Sequence, residues 1–195
     1  KNPGNNLVTT LDVTLQEAAY NAMGLYEGAI VVMEPSTGKI LAMVSKPDFD
    51  PNEIAQEWEN LNQEGSSVLL NRASQGLYPP GSTFKMITAL EYIREHPDDW
   101  ENYTWQCSGS YTHGDTTIRC YHGSSHGSLD FMHSFAESCN SSFANIGMSL
   151  ERSSFLSTLD GLLFNQELPV DISYSRSSVA LTEDSGDADM IQTVI

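Results

Sequence analysis

The sequence predicts a mixed α/β fold, and three features carry that expectation. Two β-prone runs, "AIVVM" at 29–33 and "ILAMVS" at 40–45, are joined by "EPSTGK", in which Pro35 and Gly38 are turn residues. They read as an antiparallel hairpin. Ahead of it, Leu15, Ala18, Ala19, Ala22 and Met23 recur on one helical face, with Thr14 and Glu17 at capping-box spacing. Further on, Pro79, Pro80 and Gly81 forbid a helix before Ser82, and Pro97 stops one after His96.

The remaining segments are less patterned. The polar leader Lys1–Asn6 reads as linker. "KPDFDPNE" breaks the hairpin with two prolines, and the polar stretch from Glu53 to Gln75 suggests one short helix around Trp58 within a loop. At 195 residues the chain is long enough to bury a proper core. Its longest purely apolar run is Ala29–Met33, so no membrane span or signal peptide is expected within it. Nine basic residues stand against 26 acidic ones, and a net charge of −17 repels nucleic acid and anionic lipid. No nucleic-acid partner is expected.

The segment from Ser82 to His96 holds the first chemical signal. Phe84, Met86, Ile87, Ala89, Leu90, Tyr92 and Ile93 occupy nearly every side of the predicted helix. A helix apolar all round is buried all round, which makes Lys85 an unusual lysine. Ser82 lies three residues before it and so shares its face. A serine hydroxyl needs a neighbouring base, and a lysine serves only when desolvation lowers its pKa. Backbone N–H groups at the helix start can hold an oxyanion. The pattern S-x-x-K alone also fits a serine cap beside a solvated lysine, so a second signal is needed.

That signal is Ser138-Cys139-Asn140 in "ESCNSSFANIGMSL". It falls between two apolar patterns, Leu129, Met132 and Ala136 before it and Phe143, Ile146, Gly147 and Leu150 after it. A helix–triplet–helix arrangement suits a turn that pushes a hydroxyl and an amide into a cleft.

With "LVTTLDVTLQ", "GAIVVMEPSTGKILAMVSKPDFDPN", "NRASQGLYPPGSTFK" and "SCNSSFANIG" taken together, almost the whole chain resembles the transpeptidase domain of the penicillin-binding proteins, most closely the monofunctional class B type. The resemblance implies a β-lactamase/transpeptidase-like α/β fold, an antiparallel sheet flanked by helices, over residues 7–195. By the same resemblance Ser82 is the acylated nucleophile, Lys85 its general base, Ser138 a proton relay and Asn140 a substrate-binding amide. The implied activity is peptidoglycan D,D-transpeptidation through an acyl-serine, without metal or organic cofactor. The implied partners are peptidoglycan stem peptides, β-lactam antibiotics and a membrane glycan polymerase, on the extracytoplasmic face of a bacterial membrane. Class D β-lactamases share S-T-F-K, but their second triplet ends in valine where this chain has Asn140. A non-turnover β-lactam-binding sensor domain and an inactive scaffold fragment are the alternatives.

One family element is absent. The lysines are Lys1, Lys39, Lys46 and Lys85, so no Lys-Thr-Gly triplet follows the nucleophile. The expectation is therefore a partial transpeptidase domain without its last strands. The cysteines Cys107, Cys120 and Cys139 complete the reading. "CSGSYTHGDTTIRCYHGSSHG" suggests a hairpin with Cys107 and Cys120 near its base. The extracytoplasmic address permits a Cys107–Cys120 disulfide, the first expectation. Free thiols, or a metal held with His113, His122 or His126, remain open. Cys139 reads as a small packed residue.

Overall fold

The computed structural model describes residues 4–195, so the first half of the predicted linker lies outside the described residues. The chain forms two compact units, one from residues up to Leu77 with Val170–Ser175, the other from Tyr78–Pro169 with Arg176–Ile195.

The first unit is a helix laid on a hairpin. Helix α1 (Val13–Met23) starts at Asp12, whose carboxylate accepts from the Leu15 N–H at 2.9 Å. The cap is thus Asp12, not the expected Thr14: the helix begins two residues earlier, and the Asp12 carboxylate satisfies an orphan donor of its first turn. Of the predicted apolar face only Ala19 and Met23 are buried. Strands β1 (Gly28–Glu34) and β2 (Lys39–Lys46) pair antiparallel with a register shift at Val32/Met33. Alternation turns Ile30 and Val32 toward Ala42, Val44, Ala19 and Met23, and leaves Val31 and Met33 exposed. The Gln16 amide exchanges two 2.8 Å hydrogen bonds with the Met43 backbone, so α1 covers that edge of β2. The polar stretch after the hairpin holds α2 (Ile54–Leu61) and the one-turn α3 (Arg72–Gln75).

The second unit carries the larger core. A 3₁₀ turn, Gly81–Phe84, leads into α4 (Lys85–Glu95). Short strands β3 (Thr104–Cys107), β4 (Ser110–His113), β5 (Thr116–Arg119) and β6 (Gly127–Asp130) follow. They pair antiparallel as β3–β6 and β4–β5, two-stranded ribbons separate from the β1–β2 hairpin. Leu129 belongs to β6, not to a helix as its spacing suggested, since α5 (Phe131–Ala136) begins only after the Asp130 cap. Helices α6 (Asn140–Ser149), α7 (Arg152–Gly161) and α8 (Asp187–Thr193) complete the unit.

Helix α4 is not buried all round. Met86 and Leu90 are exposed, while Lys85, Thr88, Ala89, Glu91 and Tyr92 are buried. Its inward face takes two charged residues, which hydrophobic periodicity does not anticipate. Glu91 is neutralised by Arg94 at 3.1 Å and accepts from the Thr158 hydroxyl of α7. The core gathers Phe84, Tyr92, Phe131, Phe143, Ile146, Phe155 and Val194 around it. Gly147 lets α6 approach α8 closely: a Cβ there would meet the Val194 side chain at 2.3 Å.

Candidate active site

Local sequence places Ser82 at a boundary. Gly81 adopts φ +54°, a conformation that favours glycine, and turns the chain from the Pro79-Pro80 segment into the 3₁₀ turn. Ser82 is left exposed, whereas Phe84 and Lys85 are drawn inside. Phe84 anchors the turn edge-on against Phe155 and Phe164, at 6.5 and 5.8 Å between ring centroids. Lys85 is 1% exposed, with its amine 5.9 Å above the Phe143 ring.

The second triplet arrives from the other side of the cleft. Its turn is fixed by Ser138 N–H to Phe135 C=O and Cys139 N–H to Ser134 C=O, both 3.0 Å. Ser138 sits at φ +49°, which aims both its hydroxyl and its carbonyl at α4. Asn140 opens α6.

All four sequence-predicted site residues meet at one atom. Lys85 Nζ lies 2.8 Å from Ser82 Oγ, 3.1 Å from Ser138 Oγ, 3.2 Å from the Ser138 carbonyl and 2.7 Å from Asn140 Oδ1. The Asn140 amide donates its other end to the Arg119 carbonyl at 3.0 Å. The two ends of the amide are assigned by these neighbours, an amine on one side and a carbonyl on the other. Asn140 therefore positions the lysine as well as facing the cleft, a role the triplet pattern did not reveal. Burial lowers the Lys85 pKa below its ordinary range, opposed by the nearby thiols of Cys139 and Cys120. A buried amine within 3 Å of a serine hydroxyl can accept its proton, and the exposed hydroxyl can attack a carbonyl.

The penicillin-binding protein transpeptidase domain matches residues 28–195. This chain belongs to that family.

Relatives of this transpeptidase-family chain agree in sequence and shape. It is 37% identical over 162 residues to the peptidoglycan D,D-transpeptidase PbpA of Mycolicibacterium smegmatis, which covers 75% of this chain and 33% of that protein. The penicillin-binding protein A of M. tuberculosis, solved as a ceftriaxone acyl-enzyme, superposes with a TM-score of 0.85 at 29% identity, over 96% of this chain and 45% of that one. PBP2 of Pseudomonas aeruginosa, solved with WCK 5153, gives 0.86 at 26% identity, over 98% and 47%. The chain thus spans about a third of the length of the relatives it matches by sequence.

A second constellation of this transpeptidase-family chain lies directly behind the triplet. Cys107 ends β3, Cys120 follows β5, His126 precedes β6 and Cys139 caps α6. Their ligand atoms all lie within 4.8 Å of one another, and the three cysteines are buried. Cys107 and Cys120 are not a disulfide: their sulfurs stand 3.7 Å apart, in contact but unbonded. Cys120 stands at the same 3.7 Å from Cys139, and Cys107 lies 3.3 Å from His126 Nδ1. Bonds of ~2.3 Å from one tetrahedral ion would hold neighbouring sulfurs about 3.8 Å apart. Burial pushes the Cys107 thiol up, but hydrogen bonds from Ser141, His126 and the Gly109 N–H outweigh it and bring it down to about 6.

The other two histidines considered as ligands, His113 and His122, lie outside this cluster. His113 pairs with Asp187 at 3.0 Å, and His122 lies against the Tyr121 ring. Cys139 was read as simple packing, and what spacing could not show is that β3, the β5 end and the α6 cap converge.

Proposed function

We propose that this chain supplies the nucleophile and base of a peptidoglycan D,D-transpeptidase. The observation that supports it most is Lys85, 1% exposed and 2.8 Å from the exposed Ser82 hydroxyl. Neutral Lys85 takes the Ser82 proton as Oγ attacks the penultimate carbonyl of a D-Ala-D-Ala stem peptide. Ser138 passes a proton from the amine to the departing D-Ala nitrogen, since its hydroxyl touches the same Nζ at 3.1 Å. An amine of a second stem then attacks the acyl-serine and regenerates the hydroxyl. The second Asn140 N–H faces the substrate while the first stays on Arg119. A β-lactam imitates the dipeptide and leaves Ser82 as a slowly hydrolysed ester.

The site's address in this reading is the extracytoplasmic side of a bacterial membrane, in company with a glycan polymerase. Among the described residues no helix is long and apolar enough to cross a membrane. The test is intact mass after incubation of the full-length protein with penicillin G. One adduct, mapped to Ser82 and abolished in Ser82→Ala, is the expected result. An unlabelled protein, or an adduct elsewhere, overturns the assignment.

A second reading concerns the thiol cluster. Four converging donors, three sulfurs and one imidazole, fit a zinc-class cation with Cys107, Cys120, Cys139 and His126 as ligands. In this reading the acyl transfer runs through Ser82, Lys85 and Ser138, and the four converging donors stand behind the turn rather than on the nucleophile. The metal would clamp β3, the β5 end and the α6 cap. Elemental analysis should find about one zinc per chain, and cobalt substitution should give thiolate charge-transfer bands. Loss of both in Cys107→Ser with Cys120→Ser would confirm the ligands.

A further inference from the structure

The thiol cluster is arranged around Cys120. Its sulfur touches both Cys107 and Cys139 at 3.7 Å, so any disulfide within the cluster uses Cys120 and leaves one thiol over. A disulfide consumes two of the four metal donors, so a bound cation and a disulfide exclude each other.

The two candidate partners differ in freedom. Cys107 Sγ is held by Ser141 Oγ at 3.2 Å, the Gly109 N–H at 3.4 Å and His126 Nδ1 at 3.3 Å. For Cys139 Sγ the partners besides Cys120 are Ser141 Oγ at 3.3 Å, the Ser142 N–H and Cys107, none of them an imidazole. Beside the Cys120–Cys139 contact the Asn140 side-chain amide donates to the Arg119 carbonyl at 3.0 Å, so the two next-door residues are tied by a side chain. Cys139, unlike Cys107, lies on the turn that carries Ser138 and Asn140, so closure toward Cys139 pulls on that turn.

Access follows from the same segment. Residues 121–125 are exposed, and His126 closes that loop over the buried sulfurs. His126 Nδ1 rests on Cys107 Sγ at 3.3 Å, so movement of this loop is what would open a route to the sulfurs for a molecule as small as a peroxide.

We propose that this cluster is a metal-gated redox switch on the catalytic turn: occupied by a cation it is inert, and stripped it closes a Cys120–Cys139 disulfide that disables Ser82. This rests on the two readings above. The step balances with a peroxide as oxidant. One thiolate attacks the peroxide oxygen to give a sulfenic acid, with water as the product of the departing oxygen. The second thiol then attacks that sulfur, forming the S–S bond and releasing a second water. Two protein thiols are oxidised and one hydrogen peroxide becomes two waters.

The consequence reaches the active site through one peptide on each side. Cys139 lies between Ser138 and Asn140, both of which hold the Lys85 amine. Pulling its side chain from contact to bonding distance disturbs that turn. Misplacement by about an ångström costs on the order of 10²-fold in a positioned reaction.

The experiment treats the full-length protein with a chelator, then with hydrogen peroxide, and reads two things. Peptide mapping under non-reducing conditions should find Cys120 joined to Cys139. Penicillin acylation of Ser82 should fall at least ~10-fold and return with dithiothreitol plus zinc. Protein not exposed to chelator should keep its thiols and its rate. Cys120→Ser should lose the peroxide response, whereas Cys107→Ser should keep it. A disulfide between Cys107 and Cys120, thiols that survive peroxide after chelation, or a Cys120–Cys139 bond with unchanged acylation each overturn the switch. So does equal oxidation with and without chelator. If Ser82 is never acylated, the transpeptidase reading fails, while the mapping arm still decides the disulfide. If no metal is found, the metal-gated switch is overturned as well.

Discussion

The two units bury their apolar residues to very different extents. The helix-on-hairpin unit has a core of four residues, Ala19, Met23, Ala42 and Val44, while Val8 and Leu25 are almost fully exposed. The largest cluster of the unit around α4 gathers twelve buried residues, five of them aromatic. Local patterning built the first: alternation made the hairpin and turn residues closed it. The second is held by long-range packing, and only there is the interior dry enough to depress a lysine pKa. The chemistry sits in the unit that can bury a charge.

The largest expected effect tests that claim directly. In the full-length protein, Lys85→Ala should slow penicillin acylation of Ser82 by ~10²–10⁴-fold, measured by intact mass against time. An unchanged rate would move the base elsewhere. The pH dependence sharpens it. The neutral amine is the base, so acylation should rise with pH through the folded-state pKa of Lys85, which lies below the ordinary 10.5. Between those two values the unfolded chain binds the extra proton, so this group makes stability rise with pH as well.

Packing comes next in size. Phe143 is fully buried in the large core, and Phe143→Ala should lose ~3–5 kcal/mol in a denaturant titration. Gly147→Ala would press a methyl into Val194 and should cost ~1–3 kcal/mol. The smallest effect belongs to the other unit. Leu25→Ser, at a fully exposed position, should stay within about 0.5 kcal/mol of the parent. A larger loss there would mean that the apolar surface of the hairpin unit is engaged by something that covers it.

The same contrast explains what could be read from the residues. Turn chemistry and alternation located the hairpin, and the proline brackets located α4 to within a few residues. Ser82, Lys85, Ser138 and Asn140 were nominated from two short motifs, and the fold brings them onto one amine. Three things escaped. Asp12 caps α1 because the helix starts two residues before the expected Thr14, and the Asp12 carboxylate accepts from the Leu15 N–H. Met86 and Leu90 face outward although composition put them inside. The third is the convergence of Cys107, Cys120, His126 and Cys139, which depends on how the β3–β6 and β4–β5 ribbons meet the start of α6. Spacing along the chain records local geometry, and these contacts join segments whose distance in sequence says nothing about distance in space.

The Lys85 amine is crowded with partners. Lys85 Nζ has four oxygen neighbours within 3.2 Å, but an ammonium carries three hydrogens and a neutral amine two. Its bonding is degenerate, with more acceptors than donors can serve. A turn of the head group about its last carbon bond swaps one partner for another without moving a heavy atom. A proton taken from Ser82 can thus be presented to Ser138 by rotation alone. In a lysine with a single carboxylate partner the proton would be trapped in one deep well. Here the wells are several and similar, and the hydrogen is free to circulate.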